Sequence, residues 1–174
     1  MTTVSASAQQ MFIKPMAGGT LSTLRGSDVS DNAKMKVGLV GGAEFGYNFT
    51  EQFGVTAGLL YAMQGAGNKD DSDLNLKMDY LDIPILANYY VIPGLAIKAG
   101  VQPGILVSAK VDGHDYKDLY KKLDVSIPIG ASYEFSDFVI DARYNLGMTK
   151  LYDKGDAKVY NSVIMVTLGY KIPL

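Results

Sequence analysis

Along "FVIDARYNLGM", residues 138 to 148, apolar and polar positions alternate one by one. Phe138, Ile140, Ala142, Tyr144, Leu146 and Met148 form one set; Val139, Asp141, Arg143, Asn145 and Gly147 form the other. A period of two is the mark of a β-strand with two unlike faces. The pattern recurs in "VSIPIGASYEF", "LAIKAGVQPGILV", "SVIMVTLGYKI", "VGLVGGAEFGYNF", "FGVTAGLLYAM" and "YLDIPILANYYV", and more weakly in "FIKPMAGGTLS". With the first stretch, these predict eight strands and no helix. The links alternate in length. Tight turns are expected around "TEQ", "IPG" and "SD"; the other links, "RGSDVSDNAK", "GNKDDSDLNLK", "KVDGHDYKDLYKK" and "TKLYDKGDAK", are long and polar. An antiparallel up-and-down meander, with short turns at one end and four long loops at the other, satisfies both observations. A helical turn within "HDYKDLYKK" is a further expectation.

Two kinds of barrel fit such alternation. A soluble, lipocalin-like barrel keeps its apolar set inside; a transmembrane barrel turns it toward lipid. Glycines favour the second. Gly18, Gly38, Gly42, Gly46, Gly54, Gly58, Gly100, Gly104, Gly130, Gly147 and Gly169 all fall in the polar register. A wet strand surface gains nothing from them, whereas a narrow lumen needs the space. Aromatics of the apolar register, namely Tyr47, Phe49, Phe53, Tyr89, Tyr133, Phe135, Phe138 and Tyr170, gather near the short turns, as an interfacial girdle would. Ile127, Ile129, Ile140, Leu146, Ile164, Val166 and Leu168 are then the lipid-facing set.

Charges fall in the opposite register: Lys14, Glu44, Asp82, Lys98, Asp124, Glu134, Asp141, Arg143 and Lys171. Enclosed ions must pair, so an interior network is expected, with Lys14 on Glu44, Arg143 on Glu134, and Lys171 joining where the barrel closes. The ending "TLGYKIPL" resembles the assembly signal of bacterial outer-membrane barrels, with Leu174 in place of the usual aromatic. Pro15, Pro84, Pro103 and Pro128 lie within the expected strands. Each removes a ladder donor, so bulges or rim positions are expected there.

Composition narrows the partners. The chain has 174 residues, 48% of them hydrophobic, a formal net charge of −2 and no cysteine. It offers no broad cationic face for nucleic acid, no disulfide and no thiolate metal site. No run reaches the roughly 18 apolar residues of a spanning helix. Ala6, Ser7 and Ala8 fit a small-x-small cleavage pattern. Residues 1–8 thus read either as the remnant of a signal peptide or as a disordered N-terminus, with the barrel spanning 9–174.

"YLDIPILANYYV", "GVQPGILVSAK", "DARYNLGMTKL" and the closing "VTLGYKI" resemble the PorT-like outer-membrane β-barrel family of Bacteroidetes-type bacteria. The resemblance spans about Phe12 to Ile172. It implies an eight-stranded barrel in the bacterial outer membrane, and it carries no functional residues over. The family's namesake takes part in protein secretion to the cell surface.

Catalytic chemistry finds little support. His114 sits between Asp112 and Asp115 in a polar loop, without a second histidine or a cysteine to complete a site. Asp70, Asp71 and Asp73 lack the glycine and closing glutamate of an EF-hand. Ser126 and Ser132 have no histidine in register. No catalytic residue, cofactor or metal is expected. The reading is a non-enzymatic, monomeric barrel with a plugged, charged interior. Its expected contacts are outer-membrane lipid, lipopolysaccharide and a protein partner at the long loops. A soluble ligand-binding barrel and an outer-membrane hydrolase of lipid or peptide are the alternatives. Placing a charge at mid-bilayer costs roughly 2–4 kcal/mol. Ile127→Lys should therefore block insertion into liposomes, whereas Asp71→Lys should insert like the parent chain.

Overall fold

The computed structural model describes residues 10–25, 33–34, 36–68, 76–111, 114–115, 123–148 and 160–174. The strands follow the two-residue period. The first is Gln10–Arg25, the second Lys36–Asn48 and the third Phe53–Asn68. The fourth comes in two pieces, Leu76–Asp82 and Ile85–Ile92. The fifth is Leu95–Val111, the sixth Leu123–Phe135, the seventh Phe138–Gly147 and the eighth Tyr160–Tyr170, which Ile172–Pro173 continues. Each strand pairs antiparallel with its neighbours in sequence, and the first also pairs with the eighth, Met16 opposite Gly169 and Phe12 opposite Pro173. The result is a closed, eight-stranded, antiparallel barrel. Closure leaves no edge strand, so the backbone satisfies itself without water.

The short turns follow local chemistry. Thr50 Oγ1 accepts from the Gln52 and Phe53 amides at 3.2 and 3.0 Å. Pro93 and Gly94 supply the fixed φ and the left-handed residue of a type II turn, Gly94 having φ 88°. Ser136 takes the left-handed conformation between the sixth and seventh strands. At the long-loop end, His114–Asp115 is a two-residue strand on Lys110–Val111; the rest of the expected helical turn, 116–122, lies outside the described residues. So do Ala6, Ser7, Ala8, Asp70, Asp71 and Asp73.

Facing is unambiguous. Ile140 and Leu168 are 46% and 50% exposed, whereas Arg143 is 2% exposed. A soluble, lipocalin-like barrel requires the reverse, so that alternative fails. Four glycines carry out the spatial role read from the sequence. A Cβ on Gly46 would strike the Phe12 ring, and one on Gly58, Gly104 or Gly169 would strike the side chain of Glu44, Asp82 or Lys14.

Two features depart from expectation. The inward register is not polar throughout: Met16, Val40, Leu60, Ala62 and Met165 form a buried apolar cluster inside the barrel. An eight-stranded lumen is filled by side chains rather than water, and flexible thioethers fill its irregular gaps.

The prolines, for their part, need neither bulge nor rim. The register shifts lie at Asp79/Tyr80 and Tyr90/Ile92, where there is no proline. Instead the ladder skips rungs at the prolines and resumes in the same register. Strands four and five pair at Asp82–Gly104 and again at Ile85–Val101, and between them the Ile83 amide still donates to the Pro103 carbonyl at 2.8 Å. The Pro84 carbonyl likewise accepts from the Gly58 amide at 3.0 Å. Strands five and six skip Pro128 in the same way, between Ala99–Ile129 and Gln102–Ser126. At Pro15 the ladder between strands one and eight is interrupted, with Ile13–Ile172 below and Met16–Gly169 above. A missing N–H thus falls where no rung is formed.

Candidate functional site

The lumen holds the densest chemistry. Lys14 and Glu44 face each other in register on strands one and two, and Asp141 and Arg143 follow one another on the inner face of strand seven. Lys14 Nζ lies 2.9 Å from Glu44 Oε2. Arg143 spans the space between two carboxylates, 2.7 Å from Glu44 Oε1 and 2.8 Å from Asp141 Oδ1. Lys98 on strand five holds Asp141 Oδ2 at 2.6 Å, and Lys14 lies 3.8 Å from the same oxygen. Five charged side chains from four strands therefore tie opposite walls together.

The pairing expected between Arg143 and Glu134 is not formed. Register explains why: Arg143 lies opposite Gly130, while Glu134 lies opposite Val139, four residues nearer the short turns. A Cβ at Gly130 would strike the Ala142 carbonyl, so the glycine admits the close approach of the strand-seven backbone, from which the guanidinium crosses to Glu44. Glu134 instead takes Lys171, at 3.1 and 3.3 Å, and the Tyr90 hydroxyl, which donates at 2.7 Å. Lys171 therefore forms a second, separate pair near the mouth, its ammonium 4.3 Å from the centre of the Phe12 ring. Tyr90 is not among the site residues that the sequence pattern picks out, because it stands next to the outward Tyr89. Its inward register is the signal that could have found it. Asp82 and Asp124 lie elsewhere, flanking Gly104 on strands four and six.

On the outer wall, rings meet near the short turns. Phe49 lies 4.9 Å from Tyr47 and 6.0 Å from Phe53; Phe135 lies 6.4 Å from Tyr133 and 5.9 Å from Phe138, which in turn is 5.3 Å from Tyr170. Phe49, Phe53, Tyr89, Tyr133, Phe135, Phe138 and Tyr170 are exposed and Tyr47 is half-buried. Ile129, Ile164 and Val166 are exposed between this level and the long loops, while Ile127 and Leu146 are half-covered. Ser126 is buried and donates to the Gln102 carbonyl at 3.4 Å. Among the described residues no group of three or more His, Cys, Asp or Glu is placed to hold a metal.

An apolar band, an aromatic ring at one level and a closed ladder define an integral outer-membrane β-barrel. The family model described as the outer membrane protein beta-barrel domain matches residues 7–153, and the chain belongs to that family. It is located in the bacterial outer membrane. Among solved structures it is similar to Neisserial surface protein A, with a TM-score of 0.64 at 13% identity over 93% of this chain and 97% of that one. It is also similar to Ail of Yersinia pestis in complex with the heparin analogue sucrose octasulfate, with a TM-score of 0.57 at 18% identity over 95% and 99%. AlkL, solved in DMPC lipid bilayers, gives a TM-score of 0.54 at 12% identity over 96% and 91%. At such identities the likeness is one of fold. No curated protein sequence matches the chain.

Removing one partner from a buried ion network costs about 3–5 kcal/mol, because the charges left behind stay buried. Arg143→Met should lower unfolding stability in urea by that order. Lys171→Met, which breaks a pair open to the mouth, should cost about 1 kcal/mol or less.

Proposed function

We propose that this protein is a plugged, non-enzymatic and monomeric scaffold that displays its four long polar loops at the cell surface, where a protein partner or lipopolysaccharide engages them. The observation that carries the reading is the crossing of the lumen by Arg143 between Glu44 and Asp141, with Met16, Val40, Leu60, Ala62 and Met165 packed inside the same cylinder. Salt-bridged walls and an apolar layer among the described residues support a lumen without a continuous aqueous path. Loops on a rigid scaffold are the usual seat of function in barrels of this size. The segments quoted for the PorT-like resemblance support a place among those barrels. The similarity to Ail and Neisserial surface protein A supports surface display.

In planar lipid bilayers the refolded protein should show no steady single-channel conductance. Channels of constant size in the parent chain would overturn the plug. On whole cells, a photo-reactive residue at position 114 should give discrete protein or lipopolysaccharide adducts, and one at position 129 only phospholipid adducts. The absence of adducts from all four loops would overturn the display role while leaving the plug standing.

A further inference from the structure

Two buried polar atoms stand beside the lumen network without a partner. Thr56 on strand three and Asn88 on strand four are 4% and 3% exposed, and Thr56 Oγ1 and Asn88 Oδ1 have no hydrogen-bond partner among the described residues. Such atoms are costly to leave unsatisfied where bulk water cannot reach them. Both lie close to the ion pairs. Asn88 is directly opposite Lys98 across the ladder of strands four and five, and Thr56 is opposite Gly46, two residues from Glu44 on strand two. Yet they belong to strands that this network does not reach. Lys14, Glu44, Lys98 and the neighbouring Asp141 and Arg143 lie on strands one, two, five and seven.

One small cavity is shared by all of them. It measures about 10 Å³, and its lining includes Thr56, Asn88, Lys14, Lys98 and Lys171. That volume is the least that holds one water molecule and leaves no room for a second. The lining dictates the chemistry of the occupant. Asn88 Oδ1 can only accept, the lysine ammonium groups can only donate, and the Thr56 hydroxyl can do either. Lys98 gives one N–H to Asp141 Oδ2 at 2.6 Å and has two more. An anion cannot donate to Asn88 Oδ1, and a cation would face three lysines. A neutral molecule that both accepts and donates answers every group, and at this size that molecule is water.

We propose that the cavity binds a single structural water, which accepts from Lys98 and donates to Asn88 Oδ1 and Thr56 Oγ1. A bridging water is nearly as good as a direct hydrogen bond, so the molecule extends the lumen network from four strands to six. The two strands it adds are those that need an internal tie. Between strands three and four the ladder skips from Ala57–Ile85 to Leu60–Asp82, and Thr56 is the residue just before that gap. Thr56 and Asn88 are then positioning residues of the wall, acting on the ion pairs through the shared molecule. One enclosed molecule makes no aqueous path, and the inference does not depend on what the loops bind.

A crystal structure of the refolded barrel should show one water peak within hydrogen-bonding distance of Lys98, Asn88 and Thr56. Thr56→Val should lose that peak, and Thr56→Ser, which keeps the hydroxyl, should retain it. In urea, Thr56→Val and Asn88→Leu should each lower the unfolding midpoint. The double variant should unfold where the worse single variant does, because either change alone already releases the shared molecule. If Asn88→Leu does not refold, Asn88→Val takes its place in the cycle. Losses that add in the double variant would overturn the shared water. So would an empty cavity, or a peak that survives in Thr56→Val.

Discussion

Everything in this molecule follows from the need to satisfy backbone hydrogen bonds where no water can reach. In hydrocarbon each unpaired N–H or C=O costs several kcal/mol, and a sheet escapes that cost only by closing on itself. Strand one accordingly pairs with strand two along one side and strand eight along the other. Closing eight strands sets a narrow lumen, and narrowness decides the rest. Side chains must fill the space, glycines must yield it to Phe12, Glu44, Asp82 and Lys14, and any charge pointing inward must find its opposite across a few ångströms.

This order of causes explains what could be read from the chain. Facing was legible because it rests on local alternation, and Ile140 and Arg143, three residues apart, have opposite fates in the structure as in the pattern. Closure and turn positions were legible because short and long links alternate. The choice of partners inside was not. Lys14 and Glu44 are direct neighbours across one ladder, so adjacency sufficed. Arg143 reaches across the lumen to Glu44, and that reach depends on how the strands tilt and close, which alternation does not encode. The apolar cluster is not legible in the sequence for a related reason. Met16, Leu60 and Met165 stand in the inward register among glycines and polar residues, and their meeting is a property of the closed cylinder.

The lumen is thus layered rather than uniformly polar. At the short-turn mouth, Glu134, Lys171 and Tyr90 form a small neutral group; further in, Arg143, Lys14 and Lys98 bridge the walls through Glu44 and Asp141; the methionine-rich cluster packs in the same enclosure. The layers differ in kind, the first two held by ion pairs and hydrogen bonds and the last by apolar contact.

The skipped rungs at the prolines have a mechanical meaning. Pro84, Pro103 and Pro128 stand on three consecutive strands, and the missing ladder bonds beside them run together from strand three to strand six. Along this line the wall is held by isolated bonds such as Gly58 to Pro84 and Ile83 to Pro103, and the interruption beside Pro15 lies apart from it, between strands one and eight. The cylinder therefore carries a seam of sparse backbone bonds running from strand three to strand six, where side-chain packing and not the ladder holds the wall.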